Sequence, residues 1–141
     1  MTIDLSDLEA PKDGAVMQLH HPADESQLLG PTITLAGIDS EIYRSTQSKL
    51  ARARVEQIAR GKKRANDSDD DLELLVACTL AWTDIKLDGK LRDCTDKNKR
   101  EVYSRLPWIR DQAATFLLER DNYFRPTEGS VGRKGDAPPA A

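Results

Sequence analysis

Hydrophobic residues recur along this chain with two different periods, and the change of period divides it into elements. Ala15-Val16-Met17-Gln18-Leu19 and Thr32-Ile33-Thr34-Leu35-Ala36 are short strand-like runs, the second rich in β-branched residues. Residues 20–31 between them are full of turn formers, which predicts a hairpin with a long loop. A lone two-stranded hairpin is marginal in water, so this one is expected to lean on a helix or add to a neighbour's sheet edge. From Ile38 the period lengthens. Asp39 or Ser40 is placed to cap a helix, and Glu41 suits the positive end of its dipole. That helix should run to about Arg60 and stop at Gly61. Its apolar positions, Ile42, Tyr43, Leu50, Ala53 and Ile58, are sparse and interrupted by Arg and Ser, so it reads as a surface helix with a narrow stripe.

A stronger pattern occupies residues 67–83. Asp67-Ser68-Asp69-Asp70-Asp71 concentrates capping side chains and negative charge at the start, and Leu72, Leu75, Val76, Thr79 and Leu80 then recur at helical spacing. Ala77 and Trp82 widen the stripe, and the whole run is expected to be the central helix. Ile85-Lys86-Leu87-Asp88-Gly89-Lys90-Leu91 alternates around Asp-Gly, the pair favoured in type I′ turns, which predicts a tiny hairpin or tight loop. Thr95 caps a short helix reaching about Arg105. Pro107 suits the first turn of a last helix, which buries Ile109, Gln112, Ala113, Phe116 and Leu117 and ends near Phe124-Arg125-Pro126. The fold class expected is mainly α: an N-terminal β-hairpin followed by about four helices, a small α+β module with disordered tails. Residues 1–14 read as a flexible acidic arm, 15–125 as a single domain, and 126–141 as a disordered tail rich in Gly, Pro and Ala.

Composition narrows the chemistry. The chain has 141 residues, 38% of them hydrophobic and 32% charged, which suits one modest domain. No apolar run approaches the roughly 20 residues of a membrane span, and the acidic N-terminus lacks the basic-then-apolar order of a signal peptide. Cys78 and Cys94 are too few for a disulfide framework and have no nearby His to complete a metal motif, so they read as buried or half-buried thiols in a reducing compartment.

The net charge of −3 sits in residues 1–14, leaving the rest neutral but sorted. Residues 44–64 hold eight basic side chains against Glu56 alone, and residues 67–73 follow with five acidic ones. The acidic block imitates the start of a calcium loop, yet its sixth and twelfth positions are Leu72 and Cys78 where Gly and a bidentate acid are needed, so it reads as a helix cap. His20-His21 has no further ligand at metal-binding spacing and reads as a solvated loop. Gly61-Lys62-Lys63 lacks the upstream Gly and following Ser or Thr of a phosphate loop, and both histidines lie in one loop, which leaves little for a nucleophile–His couple. The expectation is a non-enzyme without cofactor or metal. The basic segment is the best nucleic-acid candidate, but the low isoelectric point, the adjacent acids and the lack of interleaved aromatics weigh against nucleic-acid binding and favour a solvated or protein-binding charged face.

One further pattern spans residues 82–124. Trp82-Thr83-Asp84-Ile85-Lys86-Leu87-Asp88-Gly89-Lys90 is followed by Cys94-Thr95, Asn98, Tyr103, Leu106-Pro107-Trp108-Ile109, Gln112, Phe116-Leu117 and Arg120-Asp121-Asn122-Tyr123-Phe124. This order resembles the tail assembly chaperones of long-tailed bacteriophages and prophages. The N-terminal half is similar too, in its His-Pro loop, the strand at 32–37 and Asp39-Ser40 ahead of a helix containing Tyr43-Arg44. The resemblance implies a non-catalytic protein of the host bacterial cytoplasm, absent from the mature virion. It implies two partners: the tape measure protein, which such chaperones coat and keep soluble, and the tail tube protein, whose subunits they help recruit. It also implies that a longer form made by ribosomal frameshifting accompanies many members.

Holding an amphipathic helix requires apolar patches that bind weakly and repeatedly. Tyr43, Trp108, Tyr123 and Phe124 are the candidate contacts, with Arg44 and Arg52 on the basic helix facing acidic stripes of the client or of another copy, so that self-association is a further expectation. Against this stands the reading in which Trp82, Trp108 and Phe116 simply fill a small core. The alternatives in function are a structural tail component, such as a terminator or connector, and a nucleic-acid-binding regulator acting through the basic helix 44–64.

Overall fold

The computed structural model describes residues 4–8, 11, 13–61 and 67–124. A three-stranded antiparallel sheet of order β1-β2-β3 is formed by β1 (Ala15–His21), β2 (Asp24–Leu35) and β3 (Thr79–Thr83). Four helices accompany it: α1 (Glu41–Ala59), α2 (Asp67–Cys78), α3 (Asp96–Arg105) and α4 (Pro107–Leu118). A two-stranded ribbon of β4 (Lys86–Leu87) and β5 (Lys90–Leu91) completes the elements, with short 3-10 turns at Leu5–Leu8 and Arg120–Asn122. The architecture is therefore α+β rather than mainly α. The four helices and the N-terminal hairpin are as expected, and the sheet is larger. Among the described residues no helix is long and apolar enough to cross a membrane.

Local chemistry explains several boundaries. Ser40, not Asp39, caps α1: its Oγ accepts from the Tyr43 N–H at 3.1 Å and donates to the Gly37 carbonyl at 2.7 Å. Asp39 instead accepts from Arg120 Nε at 2.7 Å, tying the start of α1 to the chain beyond α4. Thr95 caps α3 through the Asn98 N–H, and Pro107 opens α4. Asp88 and Gly89 both take positive φ, 56° and 80°, as a type I′ turn requires.

Three expectations about the elements are corrected. The hairpin has no long loop: both strands continue to a turn at Pro22-Ala23, with register shifts around His20, and residues 24–30 form an exposed stem. His20-His21 accordingly lies at the end of β1 rather than in a loop. The second correction concerns residues 67–83, which are not one helix. α2 stops at Cys78 and β3 begins at Thr79 with no intervening loop, pairing Thr32–Leu35 of β2.

The last-turn carbonyls that a helix leaves open find donors elsewhere. Leu75 O accepts from Thr79 Oγ1 at 2.8 Å, Val76 O from the buried Lys99 Nζ at 3.3 Å, and Cys78 O from Ala36 N at 2.8 Å. Tyr103 closes the junction, its hydroxyl 2.7 Å from Thr79 Oγ1. From Leu80 onward burial alternates, with Leu80 and Trp82 half-buried and Ala81 and Thr83 exposed, which is the period of a strand. The last helix also stops earlier than expected, at Leu118, before the 3-10 turn that leads to Tyr123 and Phe124.

The core lies between the sheet and the helices. Met17, Leu19, Ile33 and Leu35 alternate inward from β1 and β2 and join Val76, Val102, Tyr103, Ile109, Ala113 and Leu117. Gln112 fastens α4 to the sheet by imitating a strand neighbour: its amide accepts from His20 N at 3.3 Å and donates to His20 O at 2.9 Å. Helix α1 stands apart, with no buried residue over its 19 positions, and packs on α2. The expected arm at 1–14 is described only in part, and the expected tail at 126–141 and Lys62-Lys63-Arg64 lie outside the described residues.

Candidate protein-binding surface

An open groove of about 530 Å³ lies where α2, α4 and the start of α1 meet. Tyr43 reaches it because the Ser40 cap sets the first turn of α1 beside α2. Leu74 and Leu75 come from α2, and Ala114, Leu117 and Leu118 from α4. Leu75 and Leu117 are buried by the core, whereas Leu118 is 57% exposed and offers apolar surface to solvent. Asp71, Arg110 and Asp111 supply charges of both signs along it. Burial, aided by Asp71, raises the Tyr43 phenol above its ordinary pKa, so it stays protonated and able to donate a hydrogen bond. Apolar walls with charges of both signs suit the uptake of apolar side chains from an amphipathic segment.

The sequence-predicted contact residues are not brought together. Tyr43 lines the groove. Arg44 and Arg52 project from α1 and are exposed. Trp108 is half-buried and packs against the core, as Trp82 and Phe116 do. Tyr123 is buried, edge-on to Phe116 with ring centroids 5.9 Å apart, and its ring lies where a side chain at Gly37 would have to go. Its hydroxyl is buried with no hydrogen-bond partner among the described residues. Tyr123 is thus a packing residue rather than a surface contact. Phe124, half-buried, ends the described chain.

Leu74, Ala114 and Leu118 line the groove although the aromatic pattern of the sequence does not point to them. Both Leu74 and Leu118 are apolar residues off the main stripe of their helices; Leu74 packs half-buried against the core, whereas Leu118 stays exposed.

Arg54 of the basic block forms an ion pair with Asp70 of the acidic block, which fastens α1 to α2. Neither cysteine is an activated thiol. Cys78 is buried and its pKa is pushed up to about 11, and burial raises half-buried Cys94 as well. Among the described residues no group of three or more His, Cys, Asp or Glu is placed to hold a metal ion. No protein-family model, curated protein or solved structure matches this chain.

Proposed function

We propose that this chain is a non-catalytic chaperone of phage tail assembly, a holder of a long amphipathic helical client. The observation that supports this best is the open groove, where Tyr43, Leu74, Ala114 and Leu118 offer apolar surface beside charges of both signs. The resemblance over residues 82–124 gives the client its identity: the tape measure protein, kept soluble in the host bacterial cytoplasm while tail tube subunits are recruited, with the chaperone absent from the finished virion. A groove of this size holds a few side chains, so affinity per site is modest and coverage of a long client comes from many copies.

Co-expression with a phage tape measure protein tests the reading. The wild-type chain is expected to keep the client soluble and to co-purify with it. Leu118→Glu, at an exposed position, is expected to leave the fold intact and to lose the complex. Unchanged client solubility with no complex overturns the proposal. A second reading, nucleic-acid binding through α1, draws on the exposed Arg44, Lys49 and Arg52. It predicts a gel shift with steep salt dependence that vanishes when Arg52, Arg54, Lys62 and Lys63 are neutralised. A third, a structural tail component, predicts the chain in purified virions.

A further inference from the structure

Helix α1 presents two lines of residues at heptad-like spacing. Tyr43, Thr46, Leu50, Arg54 and Gln57 form the first, and all are half-buried towards α2. Ser48, Ala51, Val55 and Ile58 form the second, spaced three, four and three residues apart, and all are exposed. Val55 is 66% and Ile58 58% exposed, a high degree for two large apolar side chains one turn apart on one helix face. Arg44 continues this line towards the N-terminus and Arg52 lies beside it, both exposed. Arg52 and Lys49 make no ion pair among the described residues.

We propose that this outer face of α1 is a docking site for an acidic amphipathic helix of a partner protein, separate from the groove. Alternating three- and four-residue spacing is the pattern by which one helix seats its side chains between those of another, and Ser48 and Ala51 let the backbones approach closely. Charge selects the occupant. Arg54 turns towards α2 and pairs with Asp70, so α1 exposes Arg44, Lys49 and Arg52 against Glu41 and Glu56. The exposed side chains are net positive, and a helix flanked by Glu or Asp pairs with Arg44 and Arg52 better than a second copy of α1 does. A nucleic acid would satisfy the cations but leave Val55 and Ile58 against a phosphate backbone, which favours the protein partner.

The probe is a fluorescent helical peptide of about three heptads with Leu and Ala along its seam and Glu at its flanks. A twin carries Lys at the flanks, and a short DNA duplex serves as the third ligand. Anisotropy is expected to show binding of the Glu peptide that weakens with salt and exceeds binding of the Lys twin by about tenfold or more. Val55→Ser with Ile58→Ser should weaken the Glu peptide about tenfold. Arg52→Glu should narrow or reverse the preference between the two peptides. Leu118→Glu, in the groove, should leave Glu-peptide binding unchanged. The proposal is overturned if the Glu peptide does not bind, if its Lys twin binds equally well, if the duplex binds in its place, or if Leu118→Glu removes binding while the Val55 and Ile58 changes do not.

Discussion

The junction between α2 and β3 supports a double-mutant test whose size follows from the hydrogen bonds. A threonine hydroxyl has one hydrogen, and that of Thr79 goes to the Leu75 carbonyl at 2.8 Å. The 2.7 Å contact with Tyr103 is therefore donated by the tyrosine. Both residues are buried, with Thr79 1% and Tyr103 0% exposed, and burial raises the Tyr103 pKa so that the proton it donates is retained. Tyr103→Phe removes one bond and leaves Thr79 still donating to Leu75, a cost of about 1 kcal/mol. Thr79→Val strands the Tyr103 hydroxyl and removes the Leu75 cap, each worth about 1–3 kcal/mol when buried, so about 3 kcal/mol in all. The double variant no longer strands the hydroxyl. It should be about 1 kcal/mol less destabilised than the sum of the singles. In a domain of this size 1 kcal/mol moves Tm by roughly 4–8 °C, so thermal melts and urea titrations both resolve the ordering. Strict additivity, or a Thr79→Val variant no less stable than Tyr103→Phe, refutes the assignment of donor and acceptor.

Other consequences follow from single contacts. Gly37→Ala places a Cβ 2.8–3.0 Å from the Tyr123 ring and should cost about 1–3 kcal/mol in urea unfolding. Tyr123→Phe, by contrast, removes a buried hydroxyl without a partner and should raise stability by about 1 kcal/mol in the same assay. Arg partners hold Asp39, Glu73, Asp88 and Glu101 below the ordinary carboxylate range. Groups with depressed folded pKa values stabilise the fold above about pH 4, and that contribution is lost as pH falls through the lower folded values. The urea midpoint should therefore drop on acidification below about pH 4, and less steeply in Asp39→Asn combined with Glu73→Gln. In native protein at mildly alkaline pH a thiol reagent should modify Cys94 first and Cys78 only on unfolding, as mass spectrometry will show.

Caps and turns were legible in the chain because their physics is local. Ser40, Thr95, Pro107 and the Asp88-Gly89 turn each act within a few residues, and each boundary falls where the side chain demands. The candidate surface was half legible. Tyr43 stood out as an aromatic, but whether an aromatic packs or projects depends on what other segments bring against it. Trp108 and Tyr123 went to the core for that reason, and Leu118 was left outside it.

The division between local and distant causes is sharpest at residues 79–83. Leu72, Leu75, Val76, Thr79 and Leu80 suit a helix as well as they suit a helix followed by a strand, and nothing within the segment decides between them. The decision comes from outside it. β2 offers Thr32–Leu35 as a free edge, while Ala36 and Lys99 supply donors for the carbonyls of the shortened helix. Backbone groups buried in a core must be paired, so the chain changes from helix to strand where distant segments can pair them.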